Sequence, residues 1–217
     1  EQLAAIGVEA DILLEPMRRD SGPAIAAGAA FARSRDGDPV IVALAADHVV
    51  NDPKGFAMVC RQAREAAADG RIVTFGVRPT RAATEYGYIR PGAAVGADIF
   101  AVDAFVEKPD AAKAERYGKE GYLWNSGNFM FRAGTFLDEY HGFEPDSASA
   151  VIAAVDEAVR DLGFVALDAK AFGRATAKSV DYAVMEKTKR AAVIPVSYGW
   201  SDRSEEHTSE LQSPYVI

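Results

Sequence analysis

The stretch Val40-Ile-Val-Ala-Leu-Ala-Ala-Asp47-His48 decides how this sequence is interpreted. Its apolar part, Val40 to Ala46, is continuous rather than alternating, which is typical of a strand covered on both faces of a parallel sheet. A helix signal follows, because Asp52-Pro53 supplies an N-cap and a first-turn proline and Gly70 supplies a stop. Residues 72–77 are apolar again and predict the next strand.

Strand, helix and strand in this order form a βαβ unit, which implies right-handed crossovers and a mostly parallel sheet. Other segments extend this α/β pattern. Strands are expected at Ala10–Leu14, Asn128–Phe131 and Ala191–Val196. Helices are expected at Ser21–Arg33 and at Gly134–Leu162, the second with breaks at Gly142 and Pro145. An antiparallel insertion is expected at Tyr86–Arg90 and Ile99–Val106. We therefore predict one α/β domain with helices on both faces of its sheet.

Composition excludes several classes of protein. The chain has 217 residues, of which 49% are hydrophobic and 26% charged, a mixture that argues against disorder, and its apolar runs are too short for a membrane span. The net charge of −8, without a block of Lys and Arg, argues against nucleic acid as a partner. One cysteine, Cys60, excludes an internal disulfide, and with no signal segment the cytoplasm is the predicted location.

The two ends of the sequence differ from the pattern of a complete domain. Glu1 to Ile6 has the pattern of a helix ending at Gly7, so we expect the domain to begin upstream of Glu1. The polar run Arg203 to Ser213, RSEEHTSELQS, resembles an in-frame translation of a sequencing-library adapter. We therefore expect residues 1–202 to be part of a domain and residues 203–217 to be a non-native tail.

Two carboxylates follow apolar strands and are candidates for holding a cation. Asp47 ends the first run, and Asp202 ends the last one, Tyr198-Gly-Trp-Ser-Asp202. Ligands of open α/β sheets bind beyond strand ends, and Mg²⁺ is commonly held by one or two carboxylates together with phosphate oxygens. Asp at a strand end is also ordinary turn chemistry, so for each residue a simple turn is the alternative.

Three more clusters have a functional and a structural interpretation. Glu107-Lys108-Pro109 offers an ammonium for a phosphate beside a carboxylate for hydroxyls, or is a solvated charge pair before a proline. Tyr122 to Asn128, YLWNSGN, is a sugar-binding turn with Trp124 and Tyr122 as walls of the pocket, or a plain turn with two core aromatics. Ser179 or Asp181 caps a helix, with capping as the default interpretation. The usual nucleotide signatures, G-x-G-x-x-G and G-x-x-x-x-G-K-[ST], are absent.

The order and spacing of these clusters resemble the sugar-nucleotide pyrophosphorylase family, and within it the mannose-1-phosphate guanylyltransferases, including the form fused to a mannose-6-phosphate isomerase domain. The resemblance covers Leu13 to Asp202. The matching segments are LLEPMRRDSGPAIAAGAA, VALAADHVV, TFGVRPTRAATEYGYIRPG, VDAFVEKPD, YLWNSGNFMFRAG, SVDYAVMEK and GWSD. It implies a Rossmann-like nucleotide-diphospho-sugar transferase fold and a cytoplasmic enzyme that makes GDP-mannose and pyrophosphate from GTP and α-D-mannose 1-phosphate for polysaccharide biosynthesis. The resemblance also allows the complete protein to be a homo-oligomer.

The resemblance also implies roles for individual residues. Those that it assigns are Asp47 and Asp202 as ligands of the catalytic Mg²⁺, Lys108 on the sugar phosphate, Glu107 on the sugar hydroxyls, Gly87 as backbone against the sugar, Asn125 and Asp181 in the same pocket, and Glu15, Pro16 and Arg19 near the base and ribose. Lys108 and Asp47 would be the catalytic pair. For Asp181 the capping role stays an alternative.

The sequence departs from the family pattern in two places. Members usually carry R-N-T-A-P-A where this sequence has Arg19-Asp-Ser-Gly-Pro-Ala24, and a carboxylate at Asp20 would repel a triphosphate unless it is turned away. The family's Gly-rich phosphate loop would precede Glu1. We therefore expect the 217 residues alone neither to turn over substrate nor to fold cleanly.

Two other functions stay open. One is a pyrophosphorylase that uses another hexose 1-phosphate or another nucleotide. The second is a regulatory paralogue that binds sugar nucleotide without making it, against which the presence of Asp47, Lys108 and Asp202 argues.

Overall fold

The computed structural model describes residues 2–202 and 215–216. Its helices are α1 Gln2–Ala5, α2 Ser21–Asp36, α3 Pro53–Ala68, α4 Ala111–Lys119, α5 Ala133–Phe143, α6 Pro145–Asp156, α7 Ala169–Phe172 and a π-helix at Asp181–Met185. Its strands are β1 Ile12–Leu14, β2 Val40–Ala45, β3 His48–Val50, β4 Ile72–Val77, β5 Tyr88–Gly96, β6 Ile99–Val106, β7 Leu123–Arg132, β8 Val159–Asp161, β9 Phe164–Ala166, β10 Ala191–Val196, β11 Trp200–Asp202 and β12 Tyr215–Val216. Within the described ranges, no helix has the length and apolar character needed to cross a bilayer.

The central element is a seven-stranded mixed sheet with the order β12-β2-β7-β4-β10-β6-β5. The α/β prediction is confirmed, but the expected predominance of parallel pairing is wrong. Only β4 and β10 pair in parallel among the described neighbours in this sheet. The physical reason is β7, which inserts between β2 and β4 and runs antiparallel to both, so the two strands of the predicted βαβ unit are not neighbours.

Helical layers cover both faces of this sheet, as predicted. On one face α2, α5 and α6 pack on side chains such as Ile41 and Phe129, and on the other α3 packs on Val73 and Phe75. The apolar run of β2 divides accordingly, because alternate residues of a strand point to opposite faces. The α3 helix begins where the sequence predicts, with the Asp52 side chain accepting hydrogen bonds from the Lys54 and Gly55 backbone nitrogens.

The predicted antiparallel insertion is present as the long hairpin of β5 and β6, whose first strand also pairs with β7. It carries its own aromatic cluster, in which Tyr88, Tyr117 and Trp124 are buried together with helix α4. Curling of β5 onto β7 brings the residues just before β5 and just after β6 next to the middle of β7. This closure forms one wall of the cavity described below.

The prediction of helix is wrong for the C-terminal part of the segment Gly134–Leu162. Residues 134–143 and 145–156 are helical, but Val159–Asp161 is a strand of a separate three-stranded sheet with the order β1-β9-β8. The cause is the turn Leu162-Gly163, where both residues adopt positive φ angles of 48° and 85°. Two successive positive φ angles form the tight turn that joins antiparallel strands, so the chain reverses there.

Residues 203–214 lie outside the described ranges, so the expectation of a non-native tail is not tested there. The described pair Tyr215–Val216 adds a short strand beside the Leu44–Ala45 end of β2.

Candidate functional site

Six of the residues singled out in the sequence line one cavity of about 120 Å³. The cavity lies between the start of β5, the end of β6, the middle of β7, the π-helix and β11. The six residues are Gly87, Glu107, Lys108, Asn125, Asp181 and Asp202. His48, Tyr86 and Trp200 complete much of its wall. Residues from six distant parts of the sequence are therefore brought together at one place.

A carboxylate and imidazole group lies at one side of this cavity. In the two-stranded ladder of β3 and β11, Asp202 pairs directly with His48, and Asp47 precedes His48 in the chain. Oxygens of the two carboxylates and a ring nitrogen of His48 all lie within 4.8 Å of one another. Oxygen and imidazole nitrogen are both ligands for divalent ions, so this group has the donor chemistry of a cation site.

His48 is the member of this group that the sequence reasoning missed. Its side chain is only 11% exposed, its Nε2 lies 4.0 Å from Asp47 Oδ1, and its ring meets the Trp200 ring edge-on at 5.1 Å. Burial lowers the pKa of His48, because the charged imidazolium loses its hydration. The neighbouring Asp47 and Asp202 carboxylates oppose this lowering of the pKa. The signal that could have found His48 is its position directly after a strand-end Asp.

Glu107 and Lys108 form the opposite wall. The Glu107 side chain is 9% exposed and that of Lys108 is 61% exposed, with Lys108 Nζ lying 3.5 Å from Glu107 Oε1. Burial raises the pKa of Glu107, while the adjacent Lys108 opposes that rise. Lys108 has a φ of 47°, a left-handed conformation that is uncommon for non-glycine residues and that clusters at functional sites. The interpretation as a solvated charge pair therefore does not describe Glu107, which is enclosed.

Gly87 packs directly against the Glu107 carboxylate. A Cβ atom at position 87 would lie 2.5 Å from Glu107 Oε2, 3.3 Å from the Cβ of Asn125 and 3.4 Å from the Phe105 ring. The Gly87 carbonyl also accepts a hydrogen bond from the Asn125 backbone nitrogen at 2.8 Å. The absence of a side chain here allows the backbone to approach Glu107 closely.

Asp181 belongs to the cavity rather than to a helix cap. The side chain that caps the π-helix is that of Ser179, whose Oγ accepts from the Tyr182 nitrogen. Asp181 Oδ1 instead accepts a hydrogen bond from Asn125 Nδ2 at 3.0 Å. Burial and then the nearby Glu107 charge raise the pKa of Asp181 to about 7. Of the two capping candidates, Ser179 therefore caps the helix, whereas Asp181 contacts Asn125 and lines the cavity.

The predicted turn at Tyr122 to Asn128 is also wrong, because Leu123–Arg132 is one continuous strand, β7. Its turn-like residues form a bulge instead. Thr74 pairs with Phe129 and Gly76 with Asn125, so three residues of β7 lie opposite one of β4, and Gly127 takes a φ of 72°. Trp124 and Tyr122 are buried in the aromatic cluster beside the bulge and are not among the described residues that line the cavity, so the interpretation of these two rings as pocket walls is wrong and they are core aromatics.

The three residues expected near the nucleotide lie elsewhere. Within the described residues, Glu15, Pro16 and Arg19 do not line the first cavity. Glu15 lines a larger cavity of about 650 Å³ between β1, α2 and the edge of β2, and burial raises its pKa. Arg19 donates from its guanidinium to the Gly173 carbonyl at 2.5 Å. Their role in nucleotide binding stays a prediction.

Asp20, the departure from the family pattern, is turned onto a helix end. Its Oδ1 accepts from the Ser21 backbone nitrogen at 2.7 Å, at the N-terminus of α2, and its φ of 67° is uncommon for a non-glycine residue. The helix dipole favours a carboxylate at this place, and the negative charge of Asp20 still contributes to the raised pKa of Asp181 in the cavity.

Comparison with known proteins adds independent evidence. Residues 1–203 match the family model described as nucleotidyl transferase. The chain is 47% identical over 204 residues to the xanthan biosynthesis protein XanB of Xanthomonas campestris pv. campestris (strain B100), and 47% identical over 206 residues to the mannose-1-phosphate guanylyltransferase RfbM of Salmonella typhimurium. Each match covers 93% of this chain and 43% of the relative, so the chain spans less than half the length of these proteins.

A solved structure agrees with the fold. It is the crystal structure of a protein from Thermus thermophilus that is titled mannose-1-phosphate geranyltransferase, which superposes with a TM-score of 0.81 at 32% identity and covers 92% of this chain and 57% of that one. Sequence match, fold and cavity therefore lead to one conclusion: this chain belongs to the nucleotidyl transferase family.

Proposed function

We propose that the protein carrying this chain is a nucleotidyltransferase that forms GDP-mannose and pyrophosphate from GTP and α-D-mannose 1-phosphate. The observation that carries the proposal is the cavity itself. Its wall contains a group suited to a sugar phosphate, Glu107, Lys108, Asn125 and Asp181, together with His48 and Asp202. Asp47 does not line the cavity itself but lies next to His48 and Asp202, and the three form a group suited to a cation. A relative that is 47% identical to this chain over 206 residues is named mannose-1-phosphate guanylyltransferase.

The reaction is a phosphoryl-group substitution. A phosphate oxygen of mannose 1-phosphate attacks the α-phosphorus of GTP, the bond from that phosphorus to the bridging oxygen breaks, and pyrophosphate leaves with the electron pair. Little covalent chemistry falls to the protein in such reactions, so positioning and charge neutralisation carry the catalysis. The side chains of this cavity are suited to both tasks.

On the sugar side, we assign the phosphate to Lys108, the most exposed cation of the cavity wall, and the hydroxyls to Glu107 and Asn125. Glu107 is enclosed and adjacent to Gly87, so its carboxylate has a fixed place from which to accept hydroxyl hydrogens. Asp181 lies behind Asn125 and orients its amide. These residues together select a polyhydroxylated ligand that carries one anionic end.

On the cation side, Asp47 and Asp202 would hold Mg²⁺, with His48 beside them. The fit is chemical: two carboxylates within reach of each other supply the oxygen ligands that this ion prefers. When bound, the ion would neutralise charge on the triphosphate. The Asp20 carboxylate is turned onto a backbone nitrogen at the start of α2.

The experiment is a substrate panel on the complete protein that carries this chain. Pyrophosphate release is measured for GTP, ATP, UTP and dTTP, each with mannose 1-phosphate and with glucose 1-phosphate, in the presence of Mg²⁺. We expect the pair of GTP and mannose 1-phosphate to give the highest kcat/KM and GDP-mannose as the product by mass spectrometry. A different preferred pair would replace the proposal by another pyrophosphorylase activity. Binding of GDP-mannose without release of pyrophosphate from any pair would instead identify a regulatory paralogue.

The cytoplasmic location and a homo-oligomeric state of the complete protein stay predictions from the sequence. Sedimentation of the complete protein at several concentrations tests the second.

A further inference from the structure

Thr74 is a polar residue at the centre of an otherwise apolar strand. It lies in β4, Ile-Val-Thr-Phe-Gly-Val, and its exposed fraction is 0%. A buried hydroxyl destabilises the fold unless it has a hydrogen-bond partner, and valine would fill the same volume without that cost. The Thr74 hydroxyl donates to Asn125 Oδ1 at 2.7 Å, and the Asn128 carbonyl lies 3.2 Å away.

The bulge in β7 makes this contact possible. Because three residues of β7 lie opposite one residue of β4, regular ladder pairing is interrupted between Thr74 and Gly76. Asn125, which is 8% exposed, consequently extends from the cavity wall to the strand beneath it. Thr74 itself is not among the described residues that line the cavity. Its influence on a ligand therefore runs through Asn125.

The neighbours of Asn125 fix which way its amide faces. The Gly127 backbone nitrogen can only donate, and it lies 3.2 Å from Asn125 Oδ1, so this amide atom is an acceptor. At the other end, Asp181 accepts from Asn125 Nδ2 at 3.0 Å. The Thr74 hydroxyl is the second and shorter bond to the amide oxygen. The nitrogen therefore faces Asp181, and its second hydrogen is the donor that remains for a ligand.

We propose that Thr74 is a positioning residue for sugar recognition: its buried hydroxyl holds the Asn125 amide so that the nitrogen is presented to the sugar 1-phosphate. This inference rests on the proposed function for the identity of the ligand. The orientation of Asn125 does not depend on that identity.

The test compares Thr74→Val, which keeps the shape and removes the hydroxyl, with Thr74→Ser, which keeps the hydroxyl, in the complete protein. One net hydrogen bond corresponds to a change of roughly 2- to 12-fold. We expect Thr74→Val to raise KM for mannose 1-phosphate by that factor, with kcat and KM for GTP within twofold of wild type. We expect Thr74→Ser to restore KM. Thr74→Ala serves as a second variant without the hydroxyl if Thr74→Val does not fold.

A second readout needs no substrate. In ¹⁵N-asparagine-labelled protein, the side-chain amide signals of Asn125, assigned by their loss in Asn125→Ser, are expected to exchange faster with water in Thr74→Val than in wild type. Unchanged exchange, or an unchanged KM in a folded variant without the hydroxyl, would overturn the positioning role. A wild-type protein that does not use mannose 1-phosphate would refute the proposed function, and amide exchange alone would then decide the role of Thr74.

Discussion

Substituting Gly87 by alanine separates the stability of the fold from the recognition of the sugar. The added Cβ would lie 2.5 Å from Glu107 Oε2, far closer than ordinary van der Waals contact. The clashing atom is the end of the Glu107 side chain, so the enclosed carboxylate is displaced from its place, and the Asn125 Cβ, 3.3 Å from the added atom, also shifts slightly. Restoring normal contact requires the carboxylate to retreat by roughly 1 Å, and misplacement of that size costs on the order of 10²-fold in rate.

The expected stability change is small. We expect a cost of about 1 kcal/mol, at the lower end of the ~1–3 kcal/mol typical of overpacking a core, because the displaced atoms are the end of one side chain. Gly76→Ala is the contrasting variant, because its Cβ would lie 2.6 Å from both Leu123 Cδ1 and Val193 Cγ2 in the packed sheet. We expect that variant to lose stability in the full overpacking range.

Gly142→Ala is the matched control. Nothing lies within 4 Å of a Cβ at this helical position, and alanine there gains about 0.5–1 kcal/mol from helix propensity. Urea unfolding and steady-state kinetics of the complete protein measure both quantities. The expected result for Gly87→Ala is a near-native unfolding midpoint, kcat/KM for mannose 1-phosphate reduced on the order of 10²-fold, and KM for GTP unchanged. A folded Gly87→Ala with kcat/KM within twofold of wild type would refute the assignment of Glu107 and Gly87 to the sugar.

Three further predictions address the cation, the buried acid and the departure from the family pattern. Asp47→Asn and Asp202→Asn are each expected to abolish Mg²⁺-dependent turnover and to weaken Mn²⁺ binding in electron paramagnetic resonance titrations. The circular dichroism spectrum should not change. Full Mn²⁺ binding in either variant would remove that residue from the site. Because the pKa of Asp181 is raised to about 7, the native state holds a proton that the unfolded state releases near pH 4, so stability falls as pH rises from about 4 to 7. Asp181→Asn should therefore stabilise the protein relative to wild type more at pH 8 than at pH 4, and a pH-independent difference in unfolding midpoint would contradict the raised pKa. Asp20→Asn keeps the cap of α2 and removes a charge already engaged there, so we expect KM for GTP to change by less than about threefold; a larger decrease would mean that Asp20 repels the triphosphate.

The parts of the fold that local patterns determine are the parts that the sequence predicts well. Residues 72–77 and 191–196 form strands with the predicted bounds, because continuous apolar runs between turn residues specify them. The pairing partners are not encoded locally. The insertion of β7 between β2 and β4 depends on contacts across more than 80 residues, and hydrophobic periodicity contains no information on it.

The site shows the same division. The strand-end principle found Asp47, Glu107 and Asp202, since each follows an apolar run. It missed His48, whose proximity to Asp202 exists only through the ladder of β3 and β11. It also took the residues of the bulge for a turn, because Asn, Ser and Gly favour both structures and only the neighbouring strand decides between them.

The ladder between β3 and β11 also determines when the candidate cation site can exist. Its two strands are separated by about 150 residues of sequence, so ribosomal synthesis delivers Asp47 long before Asp202. A nascent chain that has emerged as far as Glu107 carries one carboxylate of the pair without the other. The complete ligand set consequently forms only after six of the seven strands of the central sheet and both helical layers have been synthesised, and cation affinity can serve as a reporter of their assembly.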